Sequence, residues 1–268
     1  MIARSYLYVP ADNAEMLAKS ATRGSDALIV DFEDSVSVEN KGYARSIFAE
    51  WIQTYSGNSQ VWVRINSNSI EEDLKYLGSN KVYGIVVPKA TVENTKFVSN
   101  NTSSDLKISA LIESAESILD ALNIAKVGKV EFLQIGQLDL RAELGLSADS
   151  RSNTLQYALS HLVLASAAAG IEQPIAPMFR DFNDLDGLRS SCAQFKADGF
   201  FGSSCIHPKQ IDVINEVFST PSSELEDARE VVSALEGGKS VGVDRSGRMI
   251  DLASLKIAQR ILRRSNSA

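Results

Sequence analysis

Residues 107–140, KISALIESAESILDALNIAKVGKVEFLQIGQLDL, hold two apolar runs with a helical stretch between them. KISALIES and EFLQIGQLDL have the length and composition of strands covered on both faces. The pattern predicts strand, one short helix, strand, and such a unit is parallel. Glu113 closes the first strand and Asp139 lies just past the second, so both carboxylates come to one sheet edge. Two carboxylates there supply the hard oxygen donors that Mg²⁺ takes at a catalytic site, with positions left for water and substrate. Local duties suit the same residues: Glu113 ahead of Ser114 can cap a helix start, and Asp139 near a glycine can serve a turn. Both readings stand at this level.

At 268 residues the chain has an ordinary length for a single α/β barrel. Hydrophobic residues at 44% and charged residues at 23% allow a full core. The formal net charge of −7 leaves no basic surplus to neutralise phosphates, which argues against a nucleic-acid partner. Cys192 and Cys205 have no paired spacing, so the expectation is two buried thiols rather than a disulfide framework or a zinc site. The first residues, MIARSYLYVPADN, lack a basic region followed by an apolar run, and no later apolar run is long enough to span a bilayer. A cytoplasmic, soluble protein with no membrane partner is expected.

Taken in order, residues 5–9 form a first strand stopped by Pro10, with Asp12 or Asn13 as the N-cap of the helix that follows. ALIVDFED, residues 27–34, is a buried parallel strand with Asp31, Glu33 and Asp34 at its tip. In QVWVRIN, residues 60–66, alternation puts Val61, Val63 and Ile65 on one face and Trp62, Arg64 and Asn66 on the other. GIVVPK, residues 84–89, is the fourth strand and ends at Lys89. After the opening pair, a seventh strand is expected in QPIAPMF, residues 173–179, and an eighth in GFFGSSCI, residues 199–206. Eight apolar runs alternating with helical patterns predict a (β/α)₈ TIM barrel over residues 1–218. Active sites of barrels lie at the C-terminal strand ends, which here carry Glu33, Asp34, Arg64, Lys89, Glu113, Asp139 and His207. Residues 219–268 then read as a C-terminal extension: a helix with a capping box at Ser223 and Glu226, stopped at Gly237 and Gly238, a hairpin or lid around residues 245–247, and a closing helix capped by Asp251.

The chain resembles the citrate lyase β-subunit family of the HpcH/HpaI aldolase superfamily. RSYLYVP, DALIVDFEDSV with KGYAR, VWVRIN, GIVVPK, ALIES, IGQLDL with ELG, DGFFGSSCIHPKQ and GRMID stand in that family's order over nearly the whole length. The resemblance implies a Mg²⁺-dependent barrel, trimeric or hexameric, that breaks or forms a carbon–carbon bond in a 3-hydroxy-acyl thioester of citryl, malyl or citramalyl type. Carried over by motif, Glu113 and Asp139 would bind the metal, Arg64 would hold the keto-acid carboxylate, and Lys19 would meet coenzyme A. Asp251 would be the acid/base, inserted into a neighbouring subunit's site. By their chemistry rather than by the resemblance, Glu33 and Asp34 could orient metal-bound waters or hydrogen-bond Lys89 and Arg64 from behind, and the latter is expected. Ala11 stands where the family often has glycine after VP, and Ala253 where it often has proline.

Such chemistry needs these residue types. Retro-Claisen cleavage removes a hydroxyl proton and leaves a thioester enolate, and a divalent cation neutralises charge as it develops. A guanidinium offers two donors to one carboxylate. Two further readings stay open: a pyruvate or oxaloacetate aldolase that uses no thioester, and a non-catalytic lyase subunit that binds acyl thioesters beside partner subunits or an acyl carrier protein.

Overall fold

In the computed structural model, residues 2–147, 152–235, 240–244 and 247–265 are described. The chain divides into two compact units, Arg4–Phe218 and Ser219–Ala268 with Met1–Ala3. Among the described residues no helix is long and apolar enough to cross a membrane.

The larger unit alternates strand and helix. Its elements are β1 (Ser5–Pro10), α1 (Ala14–Ser20), β2 (Ala27–Asp31), α2 (Lys41–Thr54), β3 (Gln60–Arg64), α3 (Ile70–Leu74), β4 (Val82–Val87) and α4 (Val92–Asn100). There follow β5 (Lys107–Ile112), α5 (Ala115–Leu119), α6 (Ala121–Ala125), β6 (Val130–Ile135), α7 (Gln137–Glu143), α8 (Asn153–Ala169), α9 (Leu185–Ala197), β7 (Ser203–Cys205) and α10 (Ile211–Phe218). The strands form one seven-stranded sheet in the order β6-β5-β4-β3-β2-β1-β7, and every pair is parallel.

Three expectations change. Residues 131–140 are not one strand: β6 ends at Ile135, and the chain turns at Gly136 into α7, which carries Asp139 in its first turn. The single helix expected between β5 and β6 is two short ones, divided at Asp120. The expected seventh strand shrinks to one parallel bridge, Ala176 to Ser203. Pro174 and Pro177 lack the N–H groups that a ladder needs. Residues 172–176 nevertheless span the sheet's two edges: the N–H groups of Glu172 and Ile175 donate to Glu131 and Leu133 of β6, and Ala176 exchanges bonds with Gly202 and Ser204.

Alternation along the strands divides the buried side chains between two faces. Leu7, Val9, Val61, Val63, Ile65, Ile108, Ala110 and Ile112 belong to one large apolar cluster with Ala44, Phe48 and Ile52 of α2. On the opposite face Tyr6 of β1 and Trp62 of β3 form a second layer with Phe132 of β6, which packs against Trp62, Tyr6 and Phe201 with ring centroids 5.1, 5.3 and 5.9 Å apart. Trp62 is fully buried, and a Cβ at Gly84 would lie 2.4 Å from its ring, so β4 approaches closely there only because position 84 has no side chain. Truncating an aromatic of this kind costs about 3–5 kcal/mol. Arg64, two residues beyond Trp62, shares its face. Cys192 and Cys205 are buried free thiols, and burial pushes Cys192 up to about 11.

The smaller unit contains α11 (Ser222–Ala234), the antiparallel pair β8 (Val241–Val243) and β9 (Met249–Asp251), and α12 (Leu252–Ser265). The capping box expected at Ser223 and Glu226 does not form: the N-cap is Pro221, two residues earlier, and α11 starts at Ser222 with no side-chain cap. Proline's side chain carries no oxygen, so Pro221 cannot accept a capping bond from the first turn. Gly237, Gly238, Arg245 and Ser246 lie outside the described residues.

Candidate active site

The C-terminal ends of β1, β2, β3, β5 and β6 open on a cavity of about 690 Å³. Tyr8, Asp31, Asp34, Arg64, Glu113 and Asp139 are among the residues that line it.

Glu113 follows β5 directly and is buried. Its Oε2 accepts the Lys89 backbone N–H at 2.6 Å, and among the described residues its Oε1 accepts no hydrogen bond. Glu113 does not cap α5: Ser114 does, accepting from the Ser117 N–H at 3.1 Å. Burial drives its carboxyl up to about 7; the Lys89 N–H and Arg64 oppose this, and the charges of Glu33 and Asp139 add to it. Asp139 is exposed at the start of α7, where it forms no cap bond. Neither carboxylate is thus a helix cap, and Glu113 Oε1 and the Asp139 carboxylate remain available to the cavity.

Arg64 is the positive centre. Asp31, its register partner on β2, takes Nε and Nη2 at 2.7 Å each. Asp31 also accepts the backbone N–H groups of Glu33 and Ser35. Burial works to raise its carboxyl, but the Arg64 bonds outweigh it and hold Asp31 below its ordinary value. Nη1 of Arg64 meets Asp34 at 3.1 Å and Glu33 at 3.2 Å. The two-pronged grip expected on a substrate carboxylate is therefore already spent on Asp31, and only Nη1 faces groups that can be exchanged. Asp31 is the residue that sequence reading passed over: it stood among the three carboxylates of ALIVDFED without a role. Strand alternation put it on the same face as Ile29, but pairing it with Arg64 required the β2–β3 register.

Glu33 is buried, and among the described residues neither of its carboxylate oxygens has a hydrogen-bond partner. Lys89 Nζ stands 3.6 Å away. Burial raises the Glu33 carboxyl to about 7, with Arg64 and Lys89 opposing and Asp34 and Asp31 reinforcing. The loop that carries it is tied down by Lys41, whose Nζ donates to the Phe32 and Glu33 carbonyls at 2.6 and 2.5 Å. Arg45 pairs with the fully buried Asp73, which also accepts the Asn66 N–H at 2.6 Å and so anchors the tip of β3. Lys41 and Arg45 of the KGYAR segment are thus structural.

A second cavity of about 570 Å³ shares Tyr8 and Ile206 with the first and is lined by Asn13, Lys19, Arg23 and Lys209. Lys19 is exposed and pairs with Glu15 one turn earlier. His207 accepts the Lys209 N–H at 3.2 Å through Nδ1 and stacks on Phe182, a structural position. Asp251 belongs to the smaller unit. Its carboxylate accepts the N–H and hydroxyl of Ser254 at 2.9 and 3.1 Å, and these bonds hold it below its ordinary value.

Among the described residues no three or more His, Cys, Asp or Glu side chains form a ready cation cage. Two carboxylates with water completing the shell suit Mg²⁺, which seldom takes an all-protein cage. The unpaired Oε1 of Glu113 and the acidic surplus at the strand ends fit that ion.

Comparison with known proteins agrees with this chemistry. The family described as HpcH/HpaI aldolase/citrate lyase matches residues 4–208. The (3S)-malyl-CoA thioesterase of Cereibacter sphaeroides is 29% identical over 262 residues, covering 96% of this chain and 90% of that protein. Citrate lyase subunit beta of Leuconostoc mesenteroides subsp. cremoris is 26% identical over 283 residues, covering 98% and 93%. Among solved structures, CitE from Mycobacterium tuberculosis in complex with magnesium, acetoacetate and coenzyme A superposes with a TM-score of 0.76 at 27% identity, covering 98% of both chains.

Proposed function

The chain belongs to the HpcH/HpaI aldolase/citrate lyase family, and on that footing we propose that it is a Mg²⁺-dependent carbon–carbon lyase. Its substrates are 3-hydroxy-acyl thioesters of coenzyme A, of malyl, citramalyl or citryl type, cleaved to a keto acid and an acyl thioester. The observation that carries this reading is the placement of Glu113 and Asp139, neither of them a helix cap, in one cavity with Arg64. Relatives and neighbours named for malyl-CoA, citrate lyase, magnesium and coenzyme A support it. The bonds that residues 172–176 make to β6 and beside β7 support reading the curled sheet as a (β/α)₈ barrel.

Glu113 and Asp139 hold the cation. Bound there, Mg²⁺ would supply Lewis-acid stabilisation of the negative charge that develops as the hydroxyl proton leaves. Arg64 offers Nη1 to that carboxylate, while Asp31 keeps the guanidinium from rotating. Lys19 meets the phosphates of coenzyme A from the adjoining cavity. Asp251, reaching in from a neighbouring subunit, serves as the acid/base: its carboxylate takes the substrate's hydroxyl proton as the carbon–carbon bond breaks and returns it to the carbon of the acyl-thioester enolate. Glu33, Asp34 and Lys89 tune the charge around Arg64. Assembly as a trimer or hexamer in the cytoplasm follows from the family resemblance and is checked by light scattering.

The test is direct. Malyl-, citramalyl- and citryl-CoA are incubated with the purified chain, with and without Mg²⁺, and keto acid is measured. Release that vanishes with chelator and in Glu113→Gln is expected; no keto acid from any of the three refutes the reading. Hydrolysis is a second reading, favoured by the thioesterase relatives, and it is recognised by free thiol appearing without acyl-CoA.

A further inference from the structure

Two features of the backbone around Glu113 are unusual, and both act on its carboxylate. Lys89, just past β4, holds φ at +46°, a left-handed conformation that residues with a Cβ rarely adopt. Such strain persists only where the surroundings impose it, and it concentrates at functional sites. Here the carbonyl of Lys89 is gripped by Asn94 Nδ2 at 3.0 Å, and Asn94 is itself locked in the capping box of α4 with Thr91. The turn directs the Lys89 N–H onto Glu113 Oε2 at 2.6 Å.

On the other side stands Gly136, between β6 and α7. A Cβ there would lie 2.4 Å from Glu113 Cγ, 2.5 Å from Oε1 and 2.9 Å from Cδ. These contacts are shorter than any real Cβ tolerates, and all three fall on one side chain. The φ of Gly136 is −83°, so the position does not require glycine for its backbone. What requires glycine is the space taken by the carboxylate.

We propose that Gly136 is a positioning residue for the cation: with the left-handed Lys89 backbone it holds the Glu113 carboxylate so that Oε2 is committed to an amide and Oε1 is presented as a single metal ligand. This deepens the reading of Glu113 as a ligand and rests on it. An added methyl at 136 has one easy escape, which is to push the carboxylate away. The effect therefore falls on metal affinity before it falls on folding.

The experiment is calorimetric titration of Mg²⁺ into the full chain, with thermal unfolding measured on the same samples. Gly136→Ala is expected to raise the Mg²⁺ Kd about 10- to 100-fold, the range for residues that orient a metal ligand. Its unfolding midpoint stays near wild type. Gly128→Ala, where a Cβ meets only Ser99 Oγ at 3.7 Å, is expected to leave the Kd unchanged. In a Glu113→Asp background the carboxylate is drawn back by one methylene, and adding Gly136→Ala is expected to change the Kd by less than about threefold, the signature of two residues coupled through one contact. A wild-type chain that binds no Mg²⁺ removes the reading of Glu113 itself. A wild-type chain that binds Mg²⁺, with Gly136→Ala within about threefold of it, overturns the role of Gly136 alone. Should Gly136→Ala fail to fold, folding restored by Glu113→Asp supports the contact, and failure in both backgrounds overturns it.

Discussion

Asp31 and Arg64 face each other across β2 and β3 as register partners, and the Asp31 carboxylate closes on Nε and Nη2 at 2.7 Å each. Both side chains are buried, so neither charge has water to fall back on.

Removing one partner of such a pair leaves an uncompensated buried charge. Asp31→Asn is expected to destabilise the chain by roughly 3–5 kcal/mol in urea unfolding. A loss under about 1 kcal/mol, the range of an exposed pair, would show that the pairing has no structural weight.

Asp34 is the opposite case. Its side chain is 61% exposed and shares Nη1, the donor of Arg64 proposed for the substrate carboxylate. Asp34→Asn is expected to lower KM for the hydroxyacyl thioester up to about fivefold, the equivalent of the ~1 kcal/mol an exposed pair contributes, with kcat held. A raised KM would mean that Asp34 helps to bind substrate and does not compete with it.

Stability against pH carries the mark of the buried carboxylates. Burial lifts Glu113 and Glu33 from 4.5 to about 7, so the folded chain binds more protons than the unfolded one between those values. Stability of the metal-free chain therefore falls as pH rises through that window. Asp31 works the other way, but its ordinary value is 3.8 and it is held lower, so its contribution disappears only in stronger acid. With Glu113 as the proposed ligand, Mg²⁺ is expected to oppose its protonation and flatten the slope. Urea midpoints from pH 4.5 to 8, with and without Mg²⁺, test this; a metal-free midpoint that climbs towards pH 7 contradicts it.

Lys19 is exposed and lines the second cavity. Lys19→Ala is expected to raise KM for the coenzyme A thioester by about fivefold, in keeping with one exposed charge contact, while affinity for the free keto acid is unchanged. An equal loss for both ligands would place Lys19 at the wrong end of the substrate.

For Asp251, Asn offers the cleanest substitution, because it caps a helix about as well and cannot take the proton. Asp251→Asn is expected to reduce kcat by about 10²- to 10⁴-fold. Mg²⁺ affinity and unfolding midpoint stay near wild type. Retention of kcat would leave Asp251 as nothing more than the cap of α12.

Much of the larger unit was legible from periodicity. Strand–helix alternation, the apolar runs and the position of charged residues at strand ends all follow local rules of backbone geometry. The misreadings have local causes too. IGQLDL is apolar enough to pass for a strand, yet its glycine and the helix formers after it turn the chain, so Asp139 belongs to α7. QPIAPMF has strand composition but two residues without an amide hydrogen.

The residues alone determined the alternating architecture, the family and the cluster of Glu113, Asp139 and Arg64 at one edge, because strand period, helix period and motif order are carried in the linear pattern. Tertiary structure decided how those groups are used. Register between β2 and β3 committed two donors of Arg64 to Asp31; the approach of Gly136 and Lys89 to Glu113 left one carboxylate oxygen free. Those contacts join residues from different strand ends, and distances between such residues are set by how the sheet closes.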